Sequence, residues 1–264
     1  MKIGIIGIAG RMGKSVAKAV LAGDLHDISG GLVRLGSNQV GADIGPIIGE
    51  KNLGIHATDN LEELVKESDA IIDFSNPELS LQTAELVAKH GKTLICGTTG
   101  FSDEQKITLT NYGQNSVIIW GSNMSIGINL LMNLAEEVAK TLHSDFDAEI
   151  LEMHHRNKVD SPSGTALSLG KAVAKGRGLD FGEVSRKTRD GIIGKRSDNE
   201  IGFAALRGGD VIGDHTVIFA GPGERIELTH KASNRDIYAN GALRAAVWSV
   251  DKDRGFYTMQ DVLK

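Results

Sequence analysis

The sequence predicts an α/β protein built from two parts. Three observations support this prediction: a strand, a glycine-rich turn and a helix open the chain, strands and helices then alternate as far as Trp120, and the second half contains strands separated by glycine turns. Alternating βα units favour a parallel sheet of the Rossmann type, which binds dinucleotides. The strand-rich half predicts a separate α+β domain, whose short connections favour antiparallel pairing.

The opening turn predicts a dinucleotide site. An apolar strand at residues 2–6 is followed by the glycine-rich segment G-I-A-G-R-M-G and an amphipathic helix. Glycines let a pyrophosphate approach backbone N–H groups, although such junctions also occur for tight packing alone. The spacing is Gly-x-x-Gly-x-x-Gly rather than the commoner Gly-x-Gly-x-x-Gly. The predicted contacts are Gly7, Ile8, Ala9, Gly10, Arg11 and Met12.

The end of the second predicted strand, residues 28–33, bears on which cofactor binds. Sites for NAD usually place an acid here to bind the ribose 2′-hydroxyl, whereas this chain has Val33 and Arg34. A guanidinium can pair with a 2′-phosphate. We therefore predict that NADPH is preferred and that NADH is the alternative cofactor. Arg34 as an ordinary surface residue is the competing interpretation.

The βα rhythm continues with predicted strands at residues 70–74, 93–97 and 117–120 and predicted helices at residues 61–68, 77–90 and 103–114. Ligands of an open parallel sheet bind at the carboxyl ends of its strands. Cys96 lies at one such end, but its apolar neighbours Leu94 and Ile95 predict a core residue rather than a nucleophile.

Residues 152–166, with the sequence E-M-H-H-R-N-K-V-D-S-P-S-G-T-A, contain the densest set of reactive side chains. A predicted strand at residues 147–153 delivers His154 and His155 to its end. Neighbouring strand residues point to opposite faces, so the two histidines are a poor metal pair and no metal is predicted. A helix follows Ser163, and its N-terminus would attract a carboxylate or phosphate. A solvated basic loop before an ordinary helix is the competing interpretation.

The second half begins with a long predicted helix that contains Leu130 and Leu142, and continues with predicted strands at residues 201–207, 215–220 and 224–232. Residues 186–200 are polar, and we expect a mobile loop whose charges are solvated. Asp236 is expected to cap a last helix over residues 237–250. Its predicted buried face consists of Ala242, Leu243, Ala246, Val247 and Val250.

Composition restricts the class of partner. The 264 residues carry a formal charge of −5, which argues against nucleic acid as the main partner. An anionic substrate would need the local basic cluster of His154, His155, Arg156 and Lys158. The single cysteine is consistent with a reducing compartment, and neither a leader nor a membrane-spanning run is evident, so a cytoplasmic protein without a membrane partner is expected.

The stretch at residues 152–166 resembles the motif E-x-H-H-x-x-K-x-D-[AS]-P-S-G-T-A of the 4-hydroxy-tetrahydrodipicolinate reductase family, and every fixed position is met. The glycine loop G-x-x-G-R-M-G and the segments G-T-T at residues 97–99 and S-N-M-S-I-G at residues 122–127 are similar to family blocks as well. Asn76 departs from the family, because some relatives carry an arginine there. The resemblance covers essentially the whole chain.

The resemblance implies a Rossmann-type dinucleotide-binding domain at residues 1–125 and 236–264. It also implies an α+β domain with a mixed open sheet at residues 126–235, which binds substrate and joins a homotetramer. The implied activity is reduction of 4-hydroxy-tetrahydrodipicolinate, a small dicarboxylate heterocycle, in the diaminopimelate route to lysine. Further cofactor contacts are implied at Gly97, Thr98, Thr99, Gly121, Ser122, Asn123 and Met124.

The resemblance also implies roles within residues 152–166. His154 would be the general acid/base and Lys158 the proton donor, and both assignments suit the chemistry of the side chains. The substrate carboxylates would be held by His155, Ser163, Gly164 and Thr165. Two alternatives are a different amino-acid or semialdehyde reductase and a non-catalytic NADP-binding sensor in which His154 and Lys158 are idle.

Overall fold

The computed structural model describes residues 1–23 and 26–264. The chain divides into two compact units: the first unit comprises Met1–Ile126 and Arg235–Lys264, and the second unit comprises Gly127–Asn234. Within the described residues, no helix combines the length and the apolar character needed to cross a membrane.

The first unit contains a seven-stranded sheet in the order β12-β6-β5-β4-β1-β2-β3, and all of its strand pairs are parallel. Its elements are β1 (Lys2–Ile6), α1 (Arg11–Leu21), β2 (Asp27–Leu32), α2 (Ile44–Ile48), β3 (Ala57–Thr58), α3 (Leu61–Glu67), β4 (Ala70–Asp73), α4 (Pro77–His90), β5 (Thr93–Cys96), α5 (Asp103–Tyr112), β6 (Val117–Trp120), and, after the second unit, α9 (Asp236–Trp248), β12 (Gly255–Thr258) and α10 (Met259–Val262).

Helices cover both faces of this sheet. One buried cluster joins the strands to α1, α2 and α9, and another joins them to α3, α4 and α5. Strands buried on both faces need near-continuous apolar runs, which is what the sequences KIGII, AIID, TLIC and VIIW provide. The predicted Rossmann-type fold is confirmed, and the sheet brings the loops after β1, β2, β4, β5 and β6 to one edge.

The second unit contains a five-stranded sheet in the order β11-β10-β7-β9-β8. Its elements are α6 (Ile126–Leu142), β7 (Asp147–His154), α7 (Gly164–Arg177), α8 (Phe181–Val184), β8 (Ser185–Arg186), β9 (Ile201–Arg207), β10 (Gly213–Gly221) and β11 (Glu224–Ala232). Alternate residues of β7 are buried, because α6 and α7 pack on one face of the sheet only.

The mixed open sheet is confirmed, but the antiparallel pairing expected from short connections is only partly right. β7 pairs antiparallel with β10 and parallel with β9. The reason is that β7 lies between β9 and β10, so two strands joined by a short connection are not neighbours in the sheet.

The prediction of solvated charges at residues 186–200 is wrong. The guanidinium of Arg189 donates one hydrogen bond to each carboxylate oxygen of Glu149 in β7, both at 2.7 Å. Arg196 donates to the Asp147 carboxylate at 2.7 Å. Arg186 and Arg189 also bond Glu200. The charges of this loop therefore compensate the carboxylates of β7, a pairing that requires the sheet to be formed.

The prediction for α9 needs two corrections. Arg235 is the N-cap residue and Asp236 is already helical, so Asp236 does not cap the helix. Val247 and Val250 are 45% and 63% exposed, and the buried face consists mainly of Ala239, Ala242, Ala245 and Ala246. Small residues are needed here because the backbone approaches closely: a Cβ on Gly241 would lie 1.8 Å from the carbonyl oxygen of Met124.

Candidate active site

The turn between β1 and α1 is shaped for close approach of a ligand to the backbone. Gly7 has a φ of 68°, and its carbonyl oxygen accepts a hydrogen bond of 2.8 Å from the Gly10 N–H. A Cβ on Gly13 would lie 2.2 Å from that oxygen, so α1 packs on the turn only through glycine. Gly10, the N-cap residue, has no side chain to occupy the first N–H groups of α1, which suits an anion.

A cleft of about 530 Å³ lies in the first unit above this turn. It brings together four predicted cofactor residues, Gly7, Ala9, Gly10 and Arg34. Arg34 is exposed, and no Asp or Glu occurs among the described residues that line the cleft. Ile8 is fully buried, so only its main chain can reach a ligand.

The cleft also includes residues that the sequence analysis did not select. Phe74, Ser75 and Asn76 follow β4 and line the same space. Their position after a central strand was the available signal, because β4 neighbours β1 in the sheet. Asn76 caps α4, and its side-chain oxygen accepts a hydrogen bond of 3.0 Å from the Leu79 N–H.

The loops after β5 and β6 form a second group of predicted cofactor residues. The Trp120 indole N–H donates to the Thr98 carbonyl oxygen at 3.0 Å, and the Gly121 N–H donates to the Cys96 carbonyl oxygen at 3.1 Å. Thr99 and Ser122 are exposed, whereas the side chains of Thr98 and Met124 are buried. The side-chain oxygen of Asn123 accepts a hydrogen bond of 2.9 Å from the Ser125 N–H.

Beneath these loops lies Asp73, a fully buried carboxyl group at the end of β4. It accepts hydrogen bonds from the Ser75 N–H at 2.8 Å and the Ser80 hydroxyl at 2.6 Å, and Ser80 also bonds Thr98 at 2.9 Å. Burial raises the pKa of Asp73 despite these bonds. Asp73 thus links the end of β4 to the loop after β5.

Cys96 lies beside Asp73 in the sheet. Burial, followed by the charge of Asp73, raises the pKa of the Cys96 thiol to about 12. A protonated, inaccessible thiol is a poor nucleophile, so the predicted core role of Cys96 is confirmed.

In the second unit, Glu152 and His154 of β7 both point to the buried face of the sheet. The Nδ1 atom of His154 lies 2.5 Å from Oε2 of Glu152. Arg207, the last residue of β9, donates to both oxygens of Glu152 at 2.8 and 2.9 Å. Burial would raise the pKa of Glu152, but the bonds from His154, Arg207 and the Ser163 N–H lower it to about 2.

Lys158 lies in the loop that follows β7. Its Nζ atom is 2.7 Å from Oδ1 of Asp160, and the carbonyl oxygen of Asp160 accepts a bond of 2.7 Å from Arg207. The Gly208 N–H donates to the His154 carbonyl oxygen at 3.0 Å, and the Arg156 N–H to that of Gly209 at 3.2 Å. The loop is therefore tied to the end of β9.

The helix α7 begins at Gly164, next to the same cluster. The hydroxyl oxygen of Ser163 accepts a hydrogen bond of 3.1 Å from the Ala166 N–H and lies 3.2 Å from Nε2 of His215. Burial, followed by the charge of His154, lowers the pKa of His215 to about 3, so His215 is neutral near pH 7. Gly164 is exposed and Thr165 half-buried at the start of α7.

The predicted residues His154 and Ser163 thus meet at Glu152, and Lys158 is joined to Arg207 through Asp160. Glu152, Arg207 and His215 were not predicted from the sequence to belong to the site. Glu152 stands in the motif, which was a usable signal, whereas Arg207 and His215 are polar residues of strands far away in the chain. Only strand pairing reveals that they belong to the cluster.

A parallel dinucleotide-binding sheet with a glycine turn, together with a second unit that carries a histidine, a lysine and a helix N-terminus, defines a nicotinamide-dependent oxidoreductase. Comparison with known proteins identifies the family. The chain belongs to the dihydrodipicolinate reductase family, whose N-terminal model matches residues 1–124 and whose C-terminal model matches residues 127–263.

Two relatives illustrate the similarity. The 4-hydroxy-tetrahydrodipicolinate reductase of Hahella chejuensis is 46% identical over 99% of this chain and 98% of its own length. That of Burkholderia thailandensis is 46% identical over 100% of this chain and 98% of its own length. The resemblance stated from the motifs is confirmed.

Solved structures show the same fold. A dipicolinate-bound dihydrodipicolinate reductase from Paenisporosarcina sp. TG-14 superposes with a TM-score of 0.78 at 24% identity, covering 100% of this chain and 99% of that one. A scyllo-inositol dehydrogenase from Lactobacillus casei with bound NAD(H) has a TM-score of 0.60 at 14% identity, covering 100% and 93%.

Proposed function

We propose that this protein catalyses the NAD(P)H-dependent reduction of 4-hydroxy-tetrahydrodipicolinate to tetrahydrodipicolinate with loss of water, in the diaminopimelate route of lysine biosynthesis. Relatives that carry this activity in their names match the chain from end to end. The observation that carries the proposal is the cluster around Glu152, which places the motif residues His154 and Ser163 on one buried carboxylate.

The second unit supplies the acid–base chemistry in this proposal. His154 acts as general acid/base and Lys158 as the donor of the proton that the reduced ring requires. The carboxylates of the substrate are held by the cationic and backbone donors of His155, Ser163, Gly164 and Thr165. The exposed Gly164 at the first position of α7 supports this role, since a helix N-terminus attracts anions.

The first unit holds the cofactor. The residues fit a dinucleotide, because a Cβ on Gly13 would collide with the turn and Gly10 leaves the first N–H groups of α1 without a capping side chain. When bound, the reduced nicotinamide supplies the hydride. We propose that the contacts are made by the glycine turn and by the loops after β5 and β6.

NADPH is proposed as the preferred cofactor, with NADH as the alternative. Arg34 is exposed and lines the same cleft as Gly7 and Gly10. A guanidinium at the end of β2 offers paired donors to a 2′-phosphate, and the described lining residues of this cleft include no acid to bind a 2′-hydroxyl. A cytoplasmic location is proposed because this cofactor pool is intracellular.

A homotetramer joined through the open sheet of the second unit is also proposed. The face of this sheet opposite α6 and α7 carries the half-buried side chains of Leu151, Met153 and Ile218 and the exposed side chain of Leu206. Apolar side chains that remain accessible on a sheet face are typical of an interface. Sedimentation equilibrium checks the proposal, and a monomer at micromolar concentration would contradict it.

The proposed reaction is tested by following NADPH absorbance with enzymatically generated substrate. Lys158→Ala and His154→Gln are each expected to lower kcat by about 10²–10⁴-fold, the usual contribution of one acid–base group, while NADPH binding is retained. Unchanged turnover in both variants would refute the assigned roles. No oxidation of NADPH by the unaltered protein would refute the reaction and favour a non-catalytic binding protein.

A further inference from the structure

We propose that Glu152 is a positioning residue that sets the tautomer of His154, so that Nδ1 carries the proton and Nε2 is the nitrogen that exchanges protons with the substrate. The role of His154 as acid/base rests on the proposed function. The assignment of the tautomer does not rest on the proposed function, because it follows from contacts within the second unit.

The surroundings of Glu152 require an ionised carboxylate. Its side chain is 1% exposed and meets four donors. Oε2 faces Nδ1 of His154 and Nη1 of Arg207, and Oε1 accepts from Nη2 of Arg207 and from the Ser163 N–H at 3.1 Å. Each oxygen therefore has two partners. A neutral acid or an amide would place a hydrogen against at least one of these donors.

This arrangement determines which nitrogen of His154 is protonated. An ionised carboxylate can only accept, so the partner nitrogen Nδ1 must donate, and a neutral ring then has its lone pair on Nε2. Gly213 leaves the Nε2 atom of His154 uncrowded, because a Cβ at position 213 would lie 3.0 Å from this atom. The main chain of His154 is held as well, by the bond from the Gly208 N–H.

Glu152 also joins His154 to the proposed anion site. The Ser163 N–H that it accepts belongs to the residue that caps α7. Arg207, the cation that balances Glu152, in turn holds Asp160, the partner of Lys158. One carboxylate thus aligns the histidine, the lysine loop and the start of α7. Partners that orient a reactive histidine in this way commonly affect activity without touching substrate.

A purely structural role for Glu152 is the competing explanation, and the two are separated by the protonation of the ring. ¹⁵N NMR of histidine-labelled protein reports which ring nitrogen carries the proton, and comparison with His154→Gln assigns the signal. The neutral ring of His154 in the unaltered protein is expected to be protonated at Nδ1. A signal from the Nε2-protonated form overturns the proposal, whatever any variant does.

Glu152→Gln is expected to shift the ring toward protonation at Nε2. The new amide can avoid Ser163 and one Arg207 nitrogen only by turning its NH₂ toward His154, and that group donates to Nδ1. We expect kcat to fall by about 100-fold or more, as for other histidines that lose their orienting carboxylate. The Kd for NADPH should stay within about twofold, because the glycine turn is unaltered.

Glu149→Gln is the matched control. Glu149 lies on the same strand and also has a two-bond arginine partner, Arg189, but it contacts no histidine. This variant should keep both the tautomer and kcat. An unchanged His154 tautomer in folded Glu152→Gln, or an equal loss of kcat in Glu149→Gln, overturns the proposal.

Failure of the proposed function gives a different result. The unaltered protein and Glu149→Gln would then both fail to oxidise NADPH with this substrate, while the NMR measurement still decides the tautomer. Gly213→Ala provides a further variant, which crowds Nε2 and leaves Glu152 in place. It should keep protonation at Nδ1 and lower kcat by about tenfold, since misplacing a reacting group by a few tenths of an ångström is costly.

Discussion

Asp73 in the first unit and Glu152 in the second are both buried carboxyl groups near the ends of strands, but their pKa values move in opposite directions. Asp73 receives hydrogen bonds from a backbone N–H and a hydroxyl, and burial raises its pKa. Glu152 is equally buried, yet bonds from His154 and Arg207 lower its pKa to about 2. At Asp73 the neutral donors do not offset the loss of hydration of the charge, whereas at Glu152 the histidine and the two-bond guanidinium together do.

This difference matches the tasks proposed for the two units. In the proposed function, the first unit binds the cofactor through backbone N–H groups and glycines, so its buried acid has only to hold two loops together. In the same proposal, the second unit moves protons, and its buried acid keeps a histidine and an arginine in place. The donors around the two carboxylates thus differ in charge, as do the tasks proposed for their units.

The largest effect on stability is expected when a hydrogen-bond donor is removed from one of the two buried carboxyl groups. Arg207→Met leaves Glu152 buried without its guanidinium and should lower the free energy of unfolding by about 3–5 kcal/mol. Ser80→Ala removes one neutral donor from Asp73 and should cost about 1–3 kcal/mol. Urea unfolding at pH 7 measures both.

Lys175→Met is the control for the first of these changes. It removes the cation that contacts both oxygens of Glu136 at 2.9 and 3.0 Å, and the Glu136 side chain is 31% exposed and can be hydrated. We expect a cost of about 1 kcal/mol or less. A cost for Arg207→Met no larger than that of the control would show that Glu152 does not depend on its cation.

The pH dependence of stability is the second test. The contribution of Asp73 is present below its unfolded pKa of 3.8 and is lost as the pH rises through its raised folded pKa. The contribution of Glu152 is present above its unfolded pKa of 4.5 and is lost as the pH falls toward about 2. Each group changes the free energy of unfolding by at most about 1.4 kcal/mol per pH unit.

Two amide variants separate these contributions. The cost of Asp73→Asn should shrink as the pH rises from acid to neutral, because the amide resembles the protonated acid. The cost of Glu152→Gln should grow over the acid range and become constant above about pH 5. Denaturant unfolding at several pH values follows both. Costs with the same pH trend in the two variants would mean that the donors do not set the pKa values.

The smallest expected effect concerns shape and charge in the cofactor cleft. Arg34→Ala should raise KM for NADPH about fivefold and change KM for NADH by less than twofold, because an exposed ion pair contributes little. Arg254→Ala, an exposed arginine of the same unit that does not line the cleft, is the control. An equal effect on both cofactors would remove the support for discrimination by Arg34.

Sequence reasoning succeeded where a local pattern is sufficient. The glycine turn, the βα rhythm and the motif at residues 152–166 are contiguous, and the helices and strands around them were located within a few residues. It failed where a side chain bonds a residue that is distant in the sequence. Arg189 bonds Glu149, which is 40 positions away, and the charges of its loop were therefore wrongly expected to be solvated. The exposed Val247 was misplaced for a related reason, because close helix packing selected alanines instead.

The sequence by itself determined the two fold classes, the family and the residues proposed for acid–base chemistry, because each depends on spacing within a short segment. Only the tertiary structure decided that Arg207 and His215, 55 and 52 positions from the residues they bond, belong to the cluster around Glu152 and Ser163. The physical reason is strand order: β7 pairs with both β9 and β10, and no local pattern of apolar and polar residues encodes which strands become neighbours.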